Sequence, residues 1–185
     1  MSNAEPVLAT ENRGVVYYFA YGSNMNDRYF TRVRGISRYS SSAGTVAGYQ
    51  VTFNIDGIAG IEPAFANLSP SSGSTAYGVV HAISSEDFAH IVESEGPSYK
   101  VVEVSCTLRD GSEVIALTLS APGSLNPPLT PSRRYLTYLH EAAAQYEFPG
   151  HVIQSYDPKQ GKYIPVISEI FGAAIHTMAW IFARV

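Results

Sequence analysis

Residues 15–25, VVYYFAYGSNM, constrain what this chain can fold into more than any other stretch. Val15, Val16, Tyr17, Tyr18 and Phe19 form an unbroken run of β-branched and aromatic side chains, which suits a strand buried on both faces. Gly22, Ser23 and Asn24 then change the chemistry to turn- and cap-forming residues, and residues 26–34 contain enough helix formers to start a helix capped by Ser23 or Asn24. A strand that ends in such a loop presents successive backbone N–H groups at a helix start, where a carboxylate or a developing oxyanion is stabilised. The same residues also read as a tight turn holding no ligand, and local sequence does not separate the two.

A chain of 185 residues is long enough for one domain with a single sizeable core. A content of 45% hydrophobic and 15% charged residues is too apolar for disorder, and a net charge of -4 offers no electrostatic footprint for nucleic acid. The single cysteine, Cys106, allows neither an intrachain disulfide nor a CxxC pair, which points to a reducing, cytoplasmic compartment. Residues 1–13 are polar, lack a signal-peptide core, and read as a mobile leader outside the fold.

Further along, residues 46–54 read as a strand, residues 64–68 lead into a turn over 69–74 (SPSSGS), and residues 75–83 form the next strand. Ser84 caps a helix, with Asp87 in the reciprocal capping-box position, that runs to about Ser94. Phe88, Ile91 and Val92 define its buried face; the 3.6-residue period places Glu95 on that face and turns Glu86 and Glu93 outward. Glu95 is therefore the odd carboxylate. Either it escapes to water where the helix frays, or it is held where desolvation makes it a stronger proton acceptor. After Gly96 and Pro97, residues 99–108 alternate as a strand with Cys106 facing the core, and Asp110-Gly111 marks a hairpin into residues 113–119. Pro122, Pro127 and Pro128 make residues 120–130 irregular.

Thr130 and Pro131 open a helix over 132–146, with Tyr135, Leu139, Ala142 and Tyr146 on one stripe and Leu136 and Ala143 beside it. Arg133 and Arg134 in its first turn read as solvated charges, since the helix dipole disfavours cations there. The 5 histidines show no metal-ligand spacing, so no metal site is expected.

Taken in order, YFAYGSNM, FANLSP, AYGVVHAI, ESEGPSY, PSRRYLTYL and the Phe148-Pro149 break resemble the γ-glutamylcyclotransferase family. Departures lie late in the chain: Glu141, Ala142 and Ala143 replace a Gly-Ala, and Tyr146-Glu147-Phe148-Pro149 stands for a Gly-Leu-Pro. Interspersed strands and helices with hairpin-like connections already indicate an α+β fold. The resemblance implies a small mixed β-barrel with surrounding helices over residues 14–150. It further implies that Glu95 is the general acid/base and that Tyr21, Gly22, Ser23, Asn24, Met25 and Tyr135 bind the γ-glutamyl group of a small-molecule substrate. The expected product is 5-oxoproline, and neither metal nor organic cofactor is needed. Glutathione, a γ-glutamyl amino acid, a γ-glutamylamine and a biosynthetic intermediate all share this glutamyl end. Two other readings are a hydrolase with Ser23 as nucleophile, although no GxSxG elbow is present, and a non-catalytic relative that binds a ligand or protein through the same fold.

Residues 151–185 lie beyond the resemblance as a C-terminal extension. Val166, Ile167, Ile170, Phe171, Ala174, Ile175, Met178, Ile181, Phe182 and Val185 recur at helical spacing, which predicts a helix with one apolar face. Its own domain, a second subunit in a homodimer, or a membrane surface would each cover that face. Its longest stretch without a formal charge, residues 170–183, is short for a span of about 20 residues.

Overall fold

Five strands close into a barrel in the order β1-β3-β2-β4-β5. They are β1 (Val15–Ala20), β2 (Ser40–Ile58), β3 (Glu62–Ser84), β4 (Lys100–Leu108) and β5 (Glu113–Ser120). All pair antiparallel except β1 with β5, so the barrel is mixed, as the sequence reading expects. Helices α1 (Ser85–Glu95), α2 (Arg133–Gln145) and α3 (Gly150–Ser155) complete the α+β architecture. This computed structural model describes residues 14–58 and 61–163. The leader over 1–13 and the helix expected over 164–185 lie outside the described residues.

The β2–β3 hairpin is longer than its turn signals suggest. The SPSSGS segment is not a turn between strands but a bulge within β3, because the register jumps from Ala47↔Thr75 to Tyr49↔Pro70. Gly48 and Gly73 both take φ of 78° there, a conformation glycine adopts without steric cost. Gly78 serves another purpose: a Cβ at this position would collide with the Ala20 carbonyl and the Phe19 ring, so glycine lets β1 cross β3 closely.

Barrel closure rests on a short seam. Backbone pairing between β1 and β5 registers Tyr18 against Leu117. Side chains reinforce it: Thr118 Oγ1 donates to the Phe19 carbonyl at 2.7 Å, and Tyr21 Oη donates to the Leu119 carbonyl at 2.5 Å. Phe19 is fully buried, but Tyr17 is exposed, so only the second half of β1 matches the expectation of burial on both faces.

α1 starts as its cap predicts, whereas α2 starts one residue later than expected, with Ser132 as its cap. Ser84 Oγ accepts the Asp87 N–H at 3.0 Å and donates to Asp87 Oδ2 at 2.9 Å, closing the capping box. Ser132 Oγ accepts the Tyr135 N–H at 3.0 Å. α2 buries Tyr135, Leu136, Leu139, Ala142 and Ala143 against the barrel. Burial of a side chain such as Leu139 contributes roughly 1.5–3 kcal/mol. Val152 and Tyr156 join the same core, so the packed unit continues past α2. Cys106 is core as well, with its thiol pushed up to about 12 by burial. Among the described residues no helix is long and apolar enough to cross a membrane.

Candidate active site

β1 delivers the glycine loop to the mouth of a cavity of about 400 Å³, within the size range of small-molecule sites. The expected helix over 26–34 takes a different form. Ser23–Met25 is one 3-10 turn, followed by a π-helical turn over Tyr29–Val33 in which Arg34 N–H reaches the Tyr29 carbonyl at 3.0 Å. Neither Ser23 nor Asn24 caps it. Asn26 does, its Oδ1 accepting the Tyr29 N–H at 3.0 Å. Burial of both Tyr29 and Phe30 within this turn accounts for the departure from a regular amphipathic helix.

Tyr21, Gly22, Ser23, Asn24, Glu95 and Tyr135 all line the cavity. Met25 does not; it is fully buried in the core behind the loop, so its contribution here is packing. The loop and the acid are joined directly. Asn24 Nδ2 lies 3.5 Å from Glu95 Oε1 and also donates to Tyr18 Oη at 3.0 Å, which fixes the amide with its nitrogen toward the carboxylate. Asn24 Oδ1 is then left buried without a hydrogen-bond partner among the described residues. Buried orphans of this kind are uncommon.

Glu95 is not the lone acid that helical periodicity suggests. Arg34 Nη1 donates to its Oε1 at 2.7 Å, and Arg34 Nη2 donates to Ser94 Oγ at 2.6 Å. Among the described residues no hydrogen bond reaches Glu95 Oε2. Burial works to lower the Arg34 pKa, but the Glu95 carboxylate beside it outweighs this and the net direction is upward, so the guanidinium stays charged. Burial first, and the Glu95 charge second, push both the Tyr18 and Tyr99 phenols well above their ordinary range, which keeps these groups protonated.

Tyr135 stands opposite the loop. Its hydroxyl accepts the Ala66 N–H at 3.2 Å, which leaves its own proton for another acceptor. Gly22 is required by this approach, because a Cβ there would sit 2.9 Å from Tyr135 Oη. Tyr21, by contrast, lines the cavity but spends its proton on the Leu119 carbonyl.

His81 supports the loop from below. Its Nε2 donates to the Asn24 carbonyl at 3.0 Å, Nδ1 accepts from Ser41 Oγ at 2.7 Å, and the Phe30 ring stacks on it at 4.3 Å. Burial lowers its pKa to about 4, which holds the ring neutral. With both nitrogens engaged, His81 is unavailable as a base for Ser23, so the hydrolase reading loses its partner. At the far wall, Arg134 is not a simply solvated charge. It donates to Glu62 Oε2 at 3.2 Å, and that fully buried carboxylate also takes the Ser132 N–H at 2.9 Å and Oγ–H at 2.6 Å. Among the described residues no acidic, histidine or cysteine cluster could hold a metal.

Arg34, His81 and Glu62 escape sequence reasoning because their partners lie far along the chain. The hint for Arg34 is that it directly precedes Gly35, which turns the backbone with φ of 69°.

The fold is a small mixed barrel whose cavity joins a glycine loop to an ion-paired carboxylate. The chain belongs to the gamma-glutamyl cyclotransferase, AIG2-like family, which it matches over residues 18–137. It is 30% identical over 160 residues to gamma-glutamyl cyclotransferase gliK of Aspergillus fumigatus, covering 72% of this chain and 58% of that protein. It is 33% identical over 146 residues to gamma-glutamyl cyclotransferase verK of Clonostachys rogersoniana, covering 65% of this chain and 81% of that one. In fold it is similar to an uncharacterized human protein, loc79017, with a TM-score of 0.72 at 19% identity over 89% of this chain and 99% of the other. A solved gamma-glutamyl cyclotransferase gives 0.71 at 19% identity over 88% and 99%.

Proposed function

We propose that this protein is a γ-glutamylcyclotransferase that releases 5-oxoproline from a γ-glutamyl amide. The observation that carries this reading is the approach of Asn24 to Glu95, 3.5 Å, which puts a proton acceptor within reach of whatever the loop holds. In the reaction the substrate's α-ammonium gives a proton to Glu95, and the resulting amine attacks its own γ-carbonyl carbon. A C–N bond forms and closes the five-membered ring. As the tetrahedral intermediate collapses, the original amide C–N bond breaks and Glu95 returns the proton to the departing nitrogen. The ring nitrogen's second proton ends on the released amine, which leaves as an ammonium.

Donors facing the carbonyl oxygen would lower the barrier most, since preorganised electrostatics often supplies the largest share of a rate enhancement. The loop backbone and the unspent Tyr135 proton are the groups suited to this. Burial raises the Tyr135 pKa well above 10, so its phenol remains a donor. Intramolecular attack needs only that the glutamyl chain be held curled, which a cavity closed on several sides does by shape.

The test is incubation with γ-glutamyl dipeptides, glutathione and γ-glutamylamines. Equal amounts of 5-oxoproline and free amine are the expected products. Free glutamate instead would indicate hydrolysis, and binding without turnover would mark a non-catalytic relative.

A further inference from the structure

We infer that Arg34 is a positioning residue for the reaction proposed above: it clamps one oxygen of Glu95 so that the other, Oε2, is the atom that takes and returns the proton. Glu95 ends α1, where the helix dipole disfavours a carboxylate, and its long side chain has several rotamers open to it. Two contacts remove that freedom. Arg34 Nη1 donates to Oε1 at 2.7 Å, and Asn24 Nδ2 approaches the same oxygen at 3.5 Å. Oε2 is left without a partner among the described residues, in a side chain that keeps 26% of its exposure and faces the cavity.

The guanidinium is itself held at its other end. Arg34 Nη2 donates to Ser94 Oγ at 2.6 Å, and Ser94 Oγ donates to the carbonyls of His90 and Ile91 at 2.8 and 3.0 Å. The clamp is thus tied to the last turn of the helix that carries the base. Its charged fork spans two adjacent residues of α1, a geometry that a lysine ammonium does not reproduce. A second tie is the Tyr29 phenol, hydrogen-bonded to both Arg34 and Ser23 and so linking the clamp to the glycine loop.

The role rests on Glu95 acting as the base, and a double-mutant cycle separates the two claims. Wild type, Arg34→Gln, Glu95→Gln and the double variant are compared by single-substrate kinetics on whichever γ-glutamyl amide the wild type turns over. Misorienting the base predicts that Arg34→Gln lowers kcat by up to about a hundredfold with KM little changed. On the Glu95→Gln background the same change should cost nothing further in kcat, because it acts through a group already removed. Arg34→Lys, which keeps the charge, should fold and still lose about tenfold in kcat, since the fork is gone. Additive losses in the cycle, a loss confined to KM, or full activity in Arg34→Lys would overturn the inference while leaving Glu95 as base. Full turnover by Glu95→Gln would overturn it by removing the base itself, and wild type that releases no 5-oxoproline from any substrate would do so at the level of the reaction.

Discussion

Two carboxylates at opposite helix ends, Glu62 of β3 set against the start of α2 and Glu95 at the end of α1, show how the same functional group is fully satisfied in one place and only partly satisfied in another. Glu62 is fully buried, lies where the helix dipole favours an anion, and has both oxygens occupied by Ser132 and Arg134. Burial pushes its pKa up, and the Ser132 hydrogen bonds pull against that rise. Glu95 is partly exposed, sits at the unfavourable end of its helix, lines the cavity, and has one oxygen tied while the other takes no hydrogen bond among the described residues. Complete satisfaction leaves a group nothing with which to react. An acid with one oxygen unspent at the wall of a cavity keeps its reactivity at some cost in stability.

The comparison is sharpened first by Glu95→Gln. This nearly isosteric change should cost about 10²- to 10⁴-fold in kcat while shifting the unfolding midpoint little. Glu93→Gln, an exposed neighbour on the other face of α1, is the control and should retain full activity. Equal losses in the two variants would remove the distinction. The converse change is Glu62→Ala, which strands the Ser132 N–H and takes away the carboxylate that Arg134 donates to. It should destabilise by about 3–5 kcal/mol, roughly 10 °C in midpoint, with a far smaller loss of kcat in the folded fraction than Glu95→Gln.

His81 probes the loop that Asn24 joins to Glu95. Its folded pKa of about 4 lies below the 6.5 of an unperturbed imidazole, so the unfolded chain takes up the proton first as pH falls. Its contribution is present in full above about pH 6.5, declines as pH drops toward 4, and amounts to roughly 3 kcal/mol lost below that. Denaturation midpoints across this window should slope in the wild type and flatten in His81→Gln. Parallel slopes would show that other groups govern the acid limb.

Much of this arrangement is legible in the sequence. The hydrophobic run before Gly22, the capping box at Ser84, the Asp110-Gly111 hairpin and the stripe from Tyr135 to Ala143 are local patterns, and local patterns survive folding. The β2–β3 bulge is not legible, because SPSSGS has the composition of a turn and only strand pairing on both sides keeps it extended. Nor is the Arg34–Glu95 pair, since periodicity places Glu95 on a buried face but carries no information on which distant cation the barrel brings to it.

Glu147 offers the smallest effect and shows how a left-handed residue other than glycine is tolerated. It takes φ of 49°, a left-handed conformation costing about 1 kcal/mol outside glycine. Its N–H reaches the Ala144 carbonyl at 3.1 Å, and its ion pair with Arg109 is largely exposed. Glu147→Gly should therefore stabilise by up to about 1 kcal/mol, read as a small rise in midpoint with kcat unchanged, whereas a fall would assign the exposed pair more weight than such pairs usually carry.

The seam between β1 and β5 has a consequence for evolution. Because Thr118 and Tyr21 fasten it with side chains where backbone pairing is sparse, the tyrosine that opens the glycine loop also keeps the barrel shut. A mutation at Tyr21 cannot be filtered by selection for activity alone or for stability alone. If the loop serves the reaction proposed above, both would be lost together, so the loop's sequence could stay fixed in descendants that have changed substrates, and even in those that have given up chemistry altogether.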